Sequence, residues 1–388
     1  MSTENSISSI QTLIQNAIDR NTLPGAVILM TYRGKTVYEE AFGLADKRGG
    51  RTHQMDDLFY LGSTSKPLFV TSILSLISKG KLALDSPAST WIPELGKARL
   101  KDGTKVRSPV VAEMLSHTSG IFGNATASRL QQQLVWNFSS NLAETSTQIA
   151  RQPFIYPPGE GFSYGGASMT IMGRIAEIIT KKEFDGFAEH AIFRKLGMKH
   201  TFYRTDKELK NRISVLYTKS AGRLYKTRFQ PDARPDSFIL PPGGIISNAN
   251  DLSTFLKLHL NNGKSDSHNL LSNTLIRIMR RDVSFGMPMD FKSSSRRQYK
   301  ASIANNKGYG LGWMLDEIDH HHNARIFFHG GAFGTLIWGD AMTGLGIILL
   351  THVPLSQVGG LWDNVINIAR ETWGGKHPMK SFITNEHN

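Results

Sequence analysis

Apolar positions change period several times along the chain, and each change predicts an element. Ile7, Ile10, Leu13, Ile14 and Ile18 recur at helical spacing, which predicts an amphipathic helix that Pro24-Gly25 breaks. Residues 26–32 then read as a strand, Arg33-Gly34-Lys35 as a tight turn and residues 36–42 as the returning strand of a hairpin. Leu68, Phe69, Val70, Ile73, Leu74, Leu76 and Ile77 cover nearly every face of one segment before Lys79-Gly80 stops it. A helix apolar all round is a buried helix.

The middle of the chain has another texture. Residues 85–100 form a Pro-interrupted loop, 108–115 a short helix and 129–152 a helical stretch with polar faces. Met169, Ile171, Met172, Ile175, Ala176, Ile178 and Ile179 line one side of a further helix, and residues 184–201 add another that Leu196-Gly197-Met198 ends. Strand patterning returns at Ile245-Ile246-Ser247. Asn250-Asp251 then caps a helix carrying Leu252, Phe255, Leu256 and Leu258. Gly308 to Trp313 open a strand, and residues 325–329, 333–339 and 345–351 form three more. An amphipathic helix over 356–373 closes the pattern.

Strands at both ends with helices between predict a mixed fold, α/β plus all-α. Residues 1–80 and 235–388 together build an antiparallel sheet flanked by helices, and residues 81–234 form a mainly helical insertion. Composition agrees: 388 residues, 40% hydrophobic and 20% charged, is the make-up of a folded enzyme-sized protein. No apolar run is long enough to span a bilayer, so no transmembrane segment is expected. Met1 to Ser6 lack the basic and apolar regions of a leader, which makes a cytoplasmic protein the default; a leader trimmed beforehand would leave no trace. The absence of cysteine rules out disulfides, thiol catalysis and cysteine-bound metal.

The net charge of +13 is concentrated in residues 219–228 and 277–307. Neither stretch has the interleaved aromatics of a single-strand binder or the pattern of a duplex reader, so no specific nucleic-acid partner is expected. Asp319-His320-His321-His322 reads as a surface turn, because adjacent histidines are poorly spaced for one ion. Neither a metal nor a cofactor is called for. Oligomeric state leaves no sequence signal.

Candidate chemistry begins at Gly62-Ser63-Thr64-Ser65-Lys66-Pro67. Pro67 belongs in a first helical turn, where no backbone donor is lost. This places Ser63 at the positive end of the buried helix, with Lys66 three residues on and within reach of its hydroxyl. A serine needs a base beside it and donors for the developing oxyanion. Lys66 can be that base if burial keeps its amine neutral part of the time, and the Tyr164 phenol, after Pro157-Pro158-Gly159, is the best partner to share the proton. His329-Gly330-Gly331-Ala332 is the third piece. Its glycines let a substrate backbone approach, the Ala332 N–H joins that of Ser63 as an oxyanion hole, and His329 supplies a donor or a shared charge at the rim. Taken singly, these features also read as a capped helix, a core tyrosine and a hairpin bulge with a surface histidine.

Together, the three motifs resemble those of the serine β-lactamase and penicillin-binding-protein superfamily, nearest its class C branch. That branch holds β-lactamases, D-alanyl-D-alanine carboxypeptidases and family VIII esterases. The resemblance extends to Leu115-Ser116-His117-Thr118-Ser119-Gly120, Tyr156-Pro157-Pro158-Gly159, Leu196-Gly197-Met198, Pro242-Gly243-Gly244 and Gly308-Tyr309-Gly310-Leu311-Gly312-Trp313. It implies a sheet domain and a helical domain with the site in the cleft between them. Ser63 is implied as the acylated nucleophile, Lys66 as its base, Tyr164 as the proton donor to the leaving group, and Ser63 and Ala332 as oxyanion donors. His329 stands where many members have lysine. The family's usual Tyr-x-Asn is broken by Gly166, so the amide that clamps β-lactams and cell-wall peptides is missing.

The expected substrate is therefore a small acyl compound, and a carboxylesterase working through an acyl-enzyme is the leading reading. A D-alanyl-D-alanine carboxypeptidase, D-aminopeptidase or weak β-lactamase is the alternative, and a non-hydrolysing sensor of the same fold is the second. The intact Ser63, Lys66 and Tyr164 argue against the sensor, which needs no complete catalytic set.

Overall fold

Residues 25–31 are all buried, which requires a strand covered on both faces. The computed structural model, which describes residues 2–137, 140–205, 207–230, 239–264, 270–285, 287 and 308–374, shows what covers it. In chain order the elements are α1 (Thr3–Asp19), β1 (Gly25–Tyr32), β2 (Lys35–Asp46), β3 (Arg51–Thr52), β4 (Phe59–Tyr60) and α2 (Ser65–Ser78). Then come α3 (Val111–Leu115), α4 (Arg129–Val135), α5 (Leu142–Ala150), α6 (Ala167–Thr180), α7 (Phe184–Ala188) and α8 (Lys207–Lys210). These are followed by β5 (Tyr217–Ser220), β6 (Arg223–Lys226), β7 (Ile246–Ser247), α9 (Ala249–Leu260) and α10 (Asn273–Met279). The last are β8 (Gly308–Tyr309), β9 (Met314–Ile318), β10 (Ala324–Gly330), β11 (Leu336–Asp340), β12 (Leu345–Leu350) and α11 (Leu355–Ala369).

The main sheet has eight strands in the order β3-β2-β1-β12-β11-β10-β9-β8. Inside it β1 and β12 form an antiparallel pair, in register from Val27 opposite Leu350 to Tyr32 opposite Leu345. The two ends of the chain thus meet in one sheet, as the strand pattern predicts. Side chains alternate across it. Ala26, Ile28, Met30, Phe328, Trp338 and Ile347 pack with Ile10 and Ile14 of α1 and with Val358, Trp362 and Val365 of α11. Val27, Leu29, Phe327, Ile337 and Ile348 face the other way, into a core shared with α2, α6 and α9. Among the described residues no helix is long and apolar enough to cross a membrane.

Four local expectations are corrected. Residues 129–152 form two helices, because the Asn141 side chain accepts from the Glu144 N–H (3.0 Å) and starts α5 afresh. Residues 217–226 form a β-hairpin inside the stretch read as helical; Ala221 (φ 46°) and Gly222 (φ 75°) make its turn. The cap of α9 is Asn248, whose side chain accepts from the Asp251 N–H. β11 starts at Leu336, since Gly331 to Gly334 form a turn closed by the Gly334 N–H on the Gly331 carbonyl (3.0 Å). Asp319 to His322 do form a turn: the Asp319 carboxylate accepts from the N–H groups of His321 and Asn323. Most of the basic stretch 277–307 lies outside the described residues.

Candidate active site

Ser63 lies in a single 3₁₀ turn, Gly62–Thr64, that runs straight into α2. Gly62 has φ 55°, the left-handed conformation that lets the chain turn sharply between β4 and this helix. The turn is tied to Thr335, just before β11 on the far side of the sequence. Thr335 Oγ1 donates to the Leu61 carbonyl (2.8 Å), so Thr64 Oγ1 is the donor of its 3.0 Å bond to Thr335 Oγ1. The Leu61 N–H donates to the Ile245 carbonyl, and the Ile245 N–H donates to Ser65 Oγ. Leu61, Thr64 and Ser65, around the nucleophile, are thereby held by Ile245 and Thr335, which are distant in the chain.

Lys66 Nζ lies 3.0 Å from Ser63 Oγ, the i to i+3 contact that the spacing predicts. The lysine is only 4% exposed, and burial alone brings its amine down to about 7. Near neutral pH a large fraction is therefore the free base. Its Nζ also sits over the Tyr164 ring, 4.7 Å from the centroid, so hydroxyl, amine and phenol ring share one small volume. Tyr164 is held from behind. Its carbonyl accepts from the Asn124 N–H (2.7 Å), and its ring packs on that of His117 with centroids 4.7 Å apart.

His329 is placed differently from the rim expected for it. It is fully buried on β10, because the strand is covered on both faces along its whole length. Its Nδ1 is 3.0 Å from the Gly330 carbonyl, and its Nε2 is 3.4 Å from the Tyr309 hydroxyl. The same hydroxyl is 3.2 Å from His117 Nε2. Burial, reinforced by the nearby Lys66, pushes both imidazoles well below the usual histidine range. Both are therefore neutral at pH 7.

Gly331 has a structural reason: a Cβ there would overlap the Leu61 carbonyl oxygen and the Thr335 hydroxyl. Gly331→Ala is accordingly expected to lower stability by about 1–3 kcal/mol, read from the midpoint of urea unfolding. An unchanged midpoint would show that β10 and the Ser63 turn are not pressed together. Ala332 follows in the same turn, with its N atom 3.4 Å from the point a Gly62 Cβ would occupy. The turn is anchored by the Leu355 N–H, which donates to the Ala332 carbonyl (3.1 Å). Pairing of β10 with β9 ends at Phe328 opposite Met314, so on that side His329 to Gly331 have no strand partner among the described residues. Gly166 caps α6, where an added Cβ would come within 3.3 Å of Val135, and it lines a small pocket with Phe122, Asn124 and Trp136.

The structure therefore gathers Ser63, Lys66, Tyr164, Ala332 and the Gly330-Gly331 strand end, and sets His329 behind them. Sequence reasoning passed over Thr64, Thr335 and the part played by Tyr309. The signal for Tyr309 was its flanking by Gly308 and Gly310: a Cβ at either would overlap the Asp282 carboxyl or the Met279 carbonyl, the mark of a tightly packed residue.

The fold and the arrangement of these motifs define a β-lactamase-type hydrolase. The chain matches the Beta-lactamase family over residues 10–368 and belongs to that family. Among its relatives, Esterase EstB of Burkholderia gladioli is 26% identical over 387 residues, covering 90% of this chain and 91% of EstB. Solved structures share the fold, EstCE1 and simvastatin synthase among them. EstCE1, described as a hydrolase with promiscuous acyltransferase activity, superposes with a TM-score of 0.78 at 20% identity, over 96% of this chain and 99% of its own. Simvastatin synthase (LovD) of Aspergillus terreus gives 0.75 at 16% identity, over 95% and 99%.

Proposed function

We propose that the protein is a serine hydrolase that acts through an acyl-enzyme on Ser63, and that its substrates are carboxylic esters. The observation that carries this reading is the 3.0 Å contact between Ser63 Oγ and a buried Lys66 amine that is neutral in good part at pH 7. The neutral amine takes the Ser63 proton as Oγ attacks the ester carbonyl. The oxyanion is received by the N–H groups of Ser63 and Ala332. As the intermediate collapses, the Tyr164 phenol gives its proton to the departing alkoxide and is reprotonated from Lys66. Water then attacks the acyl carbon along the reverse proton path, releasing the acid and restoring Ser63. The edge of the strand end at Gly330 and Gly331, which has no strand partner on the β9 side among the described residues, receives the acyl group.

Two features favour esters over amides. Position 166 carries no side-chain amide to grip a peptide-like acyl group, and an alcohol leaves more readily than an amine, which asks less of Tyr164. EstB, similar along nearly its whole length, is named as an esterase. The test is one preparation assayed against a chromogenic short-chain ester, a chromogenic cephalosporin and a D-alanyl-D-alanine peptide. The ester is expected to have the largest kcat/KM. A faster cephalosporin or D-peptide would reverse the order, and fluorophosphonate labelling of Ser63 without turnover of any substrate would favour a sensor.

A further inference from the structure

Behind Lys66 and Tyr164, four polar contacts run in a single direction from one side of the site to the other. The Gly165 N–H faces His117 Nδ1 at 3.5 Å, and His117 Nε2 lies 3.2 Å from the Tyr309 hydroxyl. That hydroxyl lies 3.4 Å from His329 Nε2, and His329 Nδ1 lies 3.0 Å from the Gly330 carbonyl. All three side chains are at most 2% exposed. A backbone N–H can only donate and a carbonyl can only accept, so both ends of the chain have their roles fixed. His329 must carry its proton on Nδ1 to reach Gly330, which leaves Nε2 as an acceptor for the Tyr309 O–H. Tyr309 then accepts from His117 Nε2–H, and His117 Nδ1 is left as the acceptor that the Gly165 N–H requires. The order closes without a conflict.

We propose that His117, Tyr309 and His329 are positioning residues, joined in a directional hydrogen-bonded chain that ties the Tyr164 segment to the strand end bearing the oxyanion turn. In this chain His117 is the Nε2–H tautomer and His329 the less common Nδ1–H tautomer. Gly165 adjoins Tyr164, and Gly330 lies two residues before Ala332, so the chain sets the spacing between the proton donor and an oxyanion donor. His329 acts through Gly330 and Tyr309, not as a cation offered to substrate. Among the described residues, the other titratable groups beside the chain include Lys66, Tyr164 and Asp282, whose carboxylate accepts from the Tyr309 N–H (3.2 Å), and a proton gained by either histidine would place a second cation beside Lys66.

The test is long-range ¹H–¹⁵N spectroscopy of the full chain labelled with ¹⁵N-histidine at pH 7.5, with His117→Gln and His329→Gln spectra for assignment. The expected result is a neutral Nδ1–H pattern for His329 and a neutral Nε2–H pattern for His117. Tyr309→Phe should disturb both patterns. It should also lower kcat about 10–100-fold with KM changed less than about threefold, the mark of lost positioning. Finding His329 as the Nε2–H tautomer or as imidazolium overturns the proposal, and this wild-type spectrum decides even if Tyr309→Phe does not fold. An unaltered kcat in a folded Tyr309→Phe overturns the positioning role. The kinetic arm rests on the ester-hydrolase reading; the tautomers do not, so failure of one is distinguishable from failure of the other.

Discussion

Ser63→Ala is expected to lower kcat/KM for a chromogenic ester by at least about 10⁴-fold while the melting temperature moves by no more than about 2 °C. The loss is large because the hydroxyl is the atom to which the acyl group bonds, and no other group in the site can take its place. The fold should survive. The Ser63 turn is held by Thr64, Ser65, Leu61 and Thr335, whose bonds do not pass through the Ser63 side chain. A rapid quench of the wild-type protein with a slow ester should add the acyl mass to the peptide containing Ser63, and the alanine variant should show no such mass. Turnover within tenfold of wild type, or acyl mass on another peptide, would sink the nucleophile assignment.

Lys66→Met should abolish activity and stabilise the protein together. Removing a general base costs about 10²–10⁴ in rate. The stability gain comes from the desolvation that now brings the amine from 10.5 to about 7. The unfolded chain holds this proton up to about pH 10, whereas the folded protein releases it near 7. Between those values the unfolded state binds more protons, so stability rises with pH, and below about 7 the full penalty is present. Wild type should therefore gain about 2 kcal/mol of unfolding free energy relative to Lys66→Met between pH 7 and pH 9. Activity runs in the same sense: kcat/KM of the wild type should climb about tenfold per unit below pH 7 and level off above it, since only the free amine accepts the serine proton. A profile flat from pH 5 to 9, or a methionine variant less stable than wild type at pH 7, would show that Lys66 is solvated and charged.

Most of the architecture was legible in the chain, because its signals are local and periodic. The apolar run in residues 26–32 and the all-round apolar helix after Ser63 gave β1 and α2 with errors of a residue or two at their ends. The Ser63 to Lys66 contact was equally legible, since it needs only the geometry of one helical turn. Boundaries failed where a single side chain or turn decided them. Asn141 restarted a helix that periodicity alone would have continued, and Ala221-Gly222 folded a hairpin inside the span read as mainly helical.

What the sequence by itself determined was an antiparallel sheet made from both chain ends, a serine and a lysine on one helical turn, and membership of a family whose motifs are short and ordered. Only the tertiary structure decided where the amine is dehydrated, which way His329 faces, and that Tyr309, Thr64 and Thr335 tie the site together. The physical reason is that burial and hydrogen-bond polarity are properties of the space around a residue. Groups nearly three hundred positions apart, such as Leu61 and Thr335, fill that space jointly, and no local pattern records their meeting.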